Sequence, residues 1–180
     1  MNVLKRSLVM ENVKVIDNFL PDYHFKQFQT VLMADDFPWY YNEGIVRDDD
    51  GKFQFIHGFY KNAMVEPYLG KERRSNNFAA IGSILPQLGV KDLIKVKANL
   101  RPKTFFHRSS DYHVDLTNGP IGQKTAILYI NTCNGYTKIK GYGKVKSVAN
   151  RLVIFPGHVQ HAGVSCTDEN TRIVVNFNYR

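Results

Sequence analysis

The sequence has few cysteines, no long apolar run and, in its second half, few carboxylates. Its 180 residues include two cysteines, Cys133 and Cys166, which excludes a disulfide framework and a cysteine-rich zinc module. No apolar stretch approaches the ~20 residues of a membrane-spanning helix. The N-terminus lacks the apolar core and cleavage site of a signal peptide. We therefore expect a cytoplasmic, intracellular protein without a membrane partner.

Positive charge is concentrated in the second half of the chain. Residues 1–90 carry 10 Lys and Arg against 11 Asp and Glu, whereas residues 91–180 carry 14 against 5. Between residues 93 and 167 the carboxylates are Asp111 and Asp115. This imbalance favours an anionic ligand, such as a small acid, a nucleotide or a nucleic acid, although a generally basic, soluble protein would show it too.

Helical periodicity precedes strand-like segments along the chain. The pattern predicts a strand over 14–20, a helix over 21–33, a loop over 35–52, a strand over 53–56, and helical segments at 61–69 and 76–88. Short segments rich in Val, Ile and aromatics then alternate with turns, over 92–100, 125–131, 142–148, 151–155 and 171–179. We predict one domain over 1–180 of α+β class, mainly β, in which 1–92 supports a strand-rich core over 93–180.

The last predicted strand has two different faces. One face is apolar and suits packing on helices, and it comprises Ile173, Val175, Phe177 and Tyr179. The other face is more polar, and it comprises Arg172, Val174, Asn176 and Asn178. We expect this second face to line a cavity.

His113 and Asp115 have the spacing that places two side chains on one face of a strand. An imidazole and a carboxylate side by side can share a divalent metal, and His161 is a candidate third ligand. Two histidines and one carboxylate on one face of iron leave three positions open, as in non-haem Fe(II) oxygenases. A surface histidine beside a turn aspartate would give the same local pattern.

Arg172 lies 11 positions after His161 on the cavity side of the last strand. Burying an unpaired guanidinium costs several kcal/mol, so an inward-facing arginine needs an anionic partner. Its planar fork suits a carboxylate. Because the surrounding sequence offers almost no carboxylate, we expect a ligand to supply one; the alternative is that Arg172 reaches solvent.

The arrangement of His113-x-Asp115, Phe155-Pro156-Gly157-His158-Val159-Gln160-His161 and Arg172 resembles the Fe(II)/2-oxoglutarate-dependent dioxygenases. The nearest branch is prolyl-4-hydroxylase-like, in its small bacterial and phage forms, so a virus-encoded protein acting in the host cytoplasm also fits. The resemblance implies a double-stranded β-helix (jelly roll) braced by N-terminal helices. It implies an enzyme that hydroxylates a substrate and releases succinate and CO₂.

The resemblance also implies roles for particular residues. His113, Asp115 and His161 would bind Fe(II), with His161 preferred to His158. Arg172 would pair with 2-oxoglutarate, and Tyr129, Asn131 and Asn99 are further candidates for the co-substrate pocket. The implied partners are 2-oxoglutarate, O₂ and, as a reductant, ascorbate.

The primary substrate implied by the branch is a prolyl or other amino-acid residue, with a small molecule or a nucleotide as alternatives. Asn178 departs from the pattern of nucleic-acid demethylases, which have an arginine there, and this disfavours nucleobase repair. We keep two rival functions, a non-enzymatic jelly-roll binding module and a nucleic-acid-binding protein. The second would use the basic C-terminal half, namely Lys138, Lys140, Lys144, Lys146 and Arg151.

Four further features are not assigned to the metal or co-substrate site. The sequence leaves open whether residues 35–60 form a lid over the substrate. His57 and His107 are interpreted as structural or substrate-side residues, and Trp39 as a core residue.

Overall fold

Two β-sheets face each other and enclose the part of the chain that carries the predicted metal ligands. A computed structural model describes residues 12–47, 50–63, 73–117 and 119–180. Its strands are β1 (Lys14–Ile16), β2 (Tyr40–Glu43), β3 (Phe53–Lys61), β4 (Arg73–Arg74), β5 (Leu93–Pro102), β6 (Lys124–Tyr129), β7 (Tyr136–Ile139), β8 (Gly143–Lys146), β9 (Leu152–Pro156), β10 (His161–Val164) and β11 (Thr171–Tyr179). The prediction of a mainly β, α+β fold is confirmed.

The helices lie in the N-terminal half, as predicted. Helix α1 (Asp22–Leu32) follows Pro21 and buries Phe25, Phe28 and Leu32, which recur at helical spacing. The segment predicted at 76–88 is divided into a 3₁₀ helix (Phe78–Ile81) and α2 (Ile84–Leu88). Of the helix predicted at 61–69, Lys61 instead ends β3, and residues 64–69 lie outside the described residues. Among the described helices, none has the length and apolar character to cross a membrane.

The larger sheet runs through both halves of the chain. Its strand order is β1-β9-β6-β11-β5-β3-β2, with β4 paired to β3, and the pairs are antiparallel. Residues 40–43, predicted within a loop, form the edge strand β2. That expectation was wrong because Tyr40–Glu43 gains its structure by pairing with β3 rather than from local apolar alternation.

The outer face of the larger sheet packs on the helices and forms the main core. This core contains α1 residues and the apolar face of β11, namely Ile173, Val175, Phe177 and Tyr179. The predicted alternation of β11 is therefore confirmed. Trp39 packs against the same core, as predicted.

The smaller sheet has the order β10-β7-β8 and lies over the inner face of the larger one. A second apolar cluster, including Ile127, Phe155 and Val174, packs with Ile139 and Val145 of the smaller sheet. Beside this cluster a cavity of about 520 Å³, its open mouth included, lies between β5 and β11 on one side and β7 and β10 on the other. The predicted metal ligands line this cavity.

Candidate metal centre

A loop along the edge of the smaller sheet brings the two predicted histidine ligands together. It runs antiparallel to β10, with bridges between Ser109 and Val164 and between His113 and His161. The amide of each histidine donates to the carbonyl of the other, at 3.0 and 2.9 Å. The two imidazole centroids are 4.6 Å apart. One bridge rather than a regular strand thus fixes His113, and Asp115 follows it in a bend.

Asp115 completes a group of three potential ligands. Its Oδ1 lies 3.7 Å from Nε2 of His161 and 4.0 Å from Nε2 of His113, and the three ligand atoms lie within 4.8 Å of one another. These separations exceed the range of a good hydrogen bond, so the side chains converge without satisfying one another.

The protonation states of this group suit a metal. Burial alone would raise the pKa of Asp115. The His161 imidazole and a hydrogen bond from Asn178 outweigh burial and lower this pKa to about 2. Burial lowers the pKa of His161, against the opposing effect of Asp115. An ionised carboxylate and a neutral imidazole are the forms that bind metals. Two imidazoles and a carboxylate that leave other positions open fit Fe(II).

Two asparagines of β11 hold the carboxylate of Asp115, a role that was not predicted from the sequence. Asn178 Nδ2 donates to Asp115 Oδ2 at 3.0 Å and to Thr125 Oγ1 at 3.1 Å. Asn176 Nδ2 lies 3.4 Å from Asp115 Oδ1. The predicted alternation of β11, which places both asparagines beside Arg172, was the signal that could have identified them.

Arg172 is buried in the wall of the same cavity and is 3% exposed. Its Nε donates to Ser147 Oγ at 2.7 Å, and its Nη2 donates to Thr137 Oγ1 at 2.9 Å. Burial lowers the pKa of this guanidinium. Within the described residues no carboxylate forms an ion pair with it. The cavity therefore contains a buried cation held by neutral hydroxyls. The side chain of Arg172 does not reach solvent, which was the alternative expectation.

The three weaker co-substrate candidates lie in different places. Asn99 lines the cavity. Tyr129 lies behind Arg172: its ring centroid is 5.5 Å from the guanidinium carbon, and its hydroxyl donates to Thr137 Oγ1 at 2.8 Å. Asn131 uses its amide on the backbone of β11, donating to the Thr171 carbonyl and accepting from the Ile173 amide. Tyr129 thus contacts Arg172, and Asn131 contacts the backbone of β11. Neither is among the residues that line the cavity.

Two further cations line the cavity from β5. Arg101 is the cross-strand partner of Arg172, and it donates to the carbonyls of Gly163 and Arg108 at 2.7 and 3.1 Å. Burial and then the charge of Arg172 lower its pKa to about 10. Burial also lowers the pKa of Lys97, to about 8. Lys97, Asn99 and Arg101 are alternate residues of β5, so their side chains lie on the same face of the strand. This alternation was the sequence signal that could have identified Lys97 and Arg101 as cavity residues.

The other histidines do not join the metal group. His57 is buried, with Nδ1 3.0 Å from the Pro38 carbonyl and Nε2 3.0 Å from Ser75 Oγ, which indicates a structural role. His107 is exposed and lies with Nδ1 2.7 Å from the Ser165 carbonyl. His158 is exposed in the turn after β9. The range 35–60 supplies β2 and β3 to the sheet, and its residues Ile45 and Gln54 line the cavity.

Cys133, Cys166 and Asp168 form a second group whose potential ligand atoms lie within 4.8 Å of one another. Burial, followed by the neighbouring Cys133, raises the pKa of Cys166 to about 11. The Asp168 carboxylate accepts from the amide of Asn134 at 3.0 and 2.9 Å. None of the three is among the residues that line the cavity of the first group.

The basic residues of the rival nucleic-acid interpretation lie on and beside the smaller sheet. Lys144 and Lys146 share the exposed face of β8. Lys140 lies in the turn after β7. Lys144 Nζ lies 4.7 Å from the ring centroid of Tyr136.

Comparisons with protein-family models and with curated proteins found no match. Solved structures do match. A prolyl-4-hydroxylase from Pseudomonas putida aligns with a TM-score of 0.59 and 18% identity over 97% of this chain and 98% of its own. A 2OG-Fe(II) oxygenase family oxidoreductase from Burkholderia pseudomallei gives 0.65 and 8% over 99% and 91%.

A third match is a prolyl hydroxylase from Trichoplax adhaerens, in complex with a peptide of hypoxia inducible factor. It gives a TM-score of 0.57 and 14% identity over 98% of this chain and 89% of that chain. The chain therefore has the fold of the 2OG-Fe(II) oxygenases, and the jelly roll implied by the sequence resemblance is confirmed.

Proposed function

We propose that this protein is an Fe(II)- and 2-oxoglutarate-dependent dioxygenase that hydroxylates a primary substrate. One observation carries the proposal: His113, Asp115 and His161 converge in a cavity whose wall also holds the buried guanidinium of Arg172. A metal site beside an unpaired cation suits a ligand that chelates the metal at one end and carries a carboxylate at the other.

In this proposal Fe(II) is held by Nε2 of both histidines and by the Asp115 carboxylate. When bound, Fe(II), 2-oxoglutarate and O₂ supply the oxidising chemistry, whose products are succinate, CO₂ and the hydroxylated substrate. Arg172 binds the distal carboxylate of 2-oxoglutarate, and Thr137 and Ser147 orient its guanidinium. Asn99 extends the polar wall of the same cavity.

The rest of the site contributes orientation and exclusion of water. Asn178 holds one carboxylate oxygen of Asp115, while Tyr129 packs behind Arg172 and fills the space away from the cavity. Ile127 and Val174 give the cavity an apolar side. Such a wall excludes water from reactive species and strengthens the charge pairing at Arg172.

Anaerobic addition of Fe(II) and 2-oxoglutarate tests this function. We expect a visible metal-to-ligand charge-transfer band from the wild-type protein. His113→Ala or Asp115→Ala should abolish the band because each removes a ligand. Arg172→Ala should retain Fe(II) binding and weaken 2-oxoglutarate binding by about tenfold or more, as expected for loss of a charge-assisted pair.

A matched control is Lys124→Ala, which removes an exposed cation at the start of β6. It should leave both affinities unchanged. Equal 2-oxoglutarate affinities in the Arg172 variant and the wild type would remove the role assigned to Arg172. Absence of the band in the wild type would reject the dioxygenase.

The prolyl residue implied by the sequence resemblance remains a prediction. Two of the matched structures are prolyl hydroxylases, and another is a carbocyclase from nogalamycin biosynthesis, matched at 10% identity. The same fold therefore serves different substrates, and the rim of the cavity must distinguish among them.

A further inference from the structure

A basic pocket adjoins the metal centre. It lies between the loop before β3 and the loop after β5, and its wall includes Ile45, Lys52, Phe53, Arg101, Lys103 and Arg108. Ile45 and Arg101 also line the central cavity. A substrate can therefore occupy this pocket with one group and extend another toward the metal ligands.

The positive charge of this pocket is only partly compensated, although the carboxylate of Asp50 interacts with both Arg101 and Lys52. Arg101 is 7% exposed and donates to two backbone carbonyls rather than to a carboxylate. Across the described residues, no carboxylate forms an ion pair with Lys103 or Arg108. Asp111 lies 3.7 Å from Lys52 Nζ, but it is also 3.4 Å from Arg47 Nη2. The local excess of cations favours an anionic ligand group.

One exposed aromatic ring lies in the pocket wall, and two more follow that wall directly in the sequence. Phe105 and Phe106 follow the pocket residues Lys103 and Thr104, are 93% and 76% exposed, and have ring centroids 5.7 Å apart. In the pocket wall itself, Phe53 stacks on exposed Tyr41, with centroids 5.8 Å apart. Planar rings beside cations are the combination that binds bases and phosphates of unpaired nucleotides.

We propose that this pocket binds a nucleotide unit of the primary substrate. Lys103, Arg108 and Arg101 hold a phosphate, and a base stacks on the Phe105–Phe106 pair or on Phe53. The inference rests on the proposed function, since it names the substrate class of that enzyme. A free nucleotide and a single strand present the same chemistry, whereas an acidic peptide would need the cations but not the rings.

Binding of a fluorescein-labelled oligothymidylate tests the proposal. Anisotropy is measured on the protein with Fe(II) and 2-oxoglutarate in the absence of O₂. The double variant K103E/R108E and the double variant F105A/F106A should each bind at least about tenfold more weakly. The backbone atoms of Lys103 and Arg108 make the loop hydrogen bonds, so the side-chain changes leave them in place.

Matched controls make the same chemical changes elsewhere. K144E/K146E reverses two exposed cations on β8, and Y23A removes an exposed ring on α1. Each control should bind within about twofold of the wild type. Competition by adenosine monophosphate identifies a free nucleotide as the source of the unit, and binding that resists it identifies a strand.

Three results would overturn the proposal: unchanged affinity in both pocket variants, no binding of either nucleotide probe, or equal competition by oligoglutamate. The charge-transfer band separates this failure from failure of the proposed function. A band that persists while nucleotide binding fails rejects the substrate class and leaves the dioxygenase standing. Retention of the band by the pocket variants also shows that they are folded.

Discussion

The carboxylate of Asp115 depends on a neighbour that is not itself a ligand. Asn178 Nδ2 donates to Asp115 Oδ2 at 3.0 Å, and Asn178 is buried. Such an amide fixes the direction of the carboxylate and supports its ionised form. Neighbours that orient metal ligands typically contribute a factor of about 10 to 100 in metal affinity.

We therefore expect Asn178→Ala to weaken Fe(II) binding by about 10- to 100-fold. Metal titration monitored by the charge-transfer band measures the change. Thr125→Val is the matched control, because it removes the other partner of Asn178 but keeps the bond to Asp115. If both variants lose affinity equally, the effect comes from general disruption of the site and not from the orienting bond.

The surroundings of individual side chains were only partly predictable from the sequence. The alternation of β11 predicted that Asn176 and Asn178 face the cavity, but it could not predict that Asp115 would lie opposite them. Asn131 was expected in the co-substrate pocket, yet both of its amide atoms bond to the β11 backbone. The position of a residue along a strand predicts on which face its side chain lies. Its hydrogen-bond partners belong to segments that are distant in the sequence, and this alternation does not predict them.

Strand β11 contributes side chains both to the main core and to the candidate metal centre. It pairs with β5 and β6 near the middle of the larger sheet. Its outer side chains lie in the main core, and its inner side chains include Arg172 and the two asparagines near Asp115. Any loosening of the outer face therefore displaces the groups of the inner face.

Phe177→Ala tests the packing of this outer face. Phe177 is fully buried in the main core, so its truncation should reduce the free energy of unfolding by about 3 to 5 kcal/mol. Urea denaturation of the metal-free protein measures the loss. Ile121→Ala, at a 98% exposed position, should change it by less than about 0.5 kcal/mol. A loss below about 1 kcal/mol for Phe177→Ala would contradict the packing described for β11.

Elements with a strong local pattern were predictable and the others were not. Helix α1 and strand β11 match their predicted positions because Phe25 and Phe28 recur at helical spacing and because polar and apolar residues alternate along β11 except at Val174. Strand β2 was missed because its order comes from an antiparallel partner. The loop of residues 109–113 lacks strand periodicity, so its attachment to β10 required the folded chain.

Three cations of the basic second half lie at one cavity. Lys97, Arg101 and Arg172 line it, and among the described lining residues Asp115 supplies the carboxylate. Without an anionic ligand these cations carry an electrostatic cost, visible in the lowered pKa values of all three. The fold thus bears a penalty in the free protein that an anionic co-substrate or substrate relieves.

The pH dependence of stability should reveal this penalty at Lys97. Its ordinary pKa is 10.5, and burial followed by the charge of Lys95 lowers the pKa to about 8 in the folded protein. Between these two values the unfolded chain binds more protons, so raising the pH favours the folded state. Below pH 8 both states are protonated and the full penalty is present.

Lys97→Met removes the charge and keeps a side chain of similar length. At pH 7 the metal-free variant should be more stable than the wild type, and this advantage should shrink by up to about 3 kcal/mol between pH 8 and 10.5. Urea denaturation of both proteins across this range measures the difference. Other groups with a shifted pKa, such as Tyr179, contribute equally to the variant and the wild type, so their effect cancels in the difference. A difference that does not change with pH would show that Lys97 keeps its ordinary pKa and that the cavity is well hydrated around it.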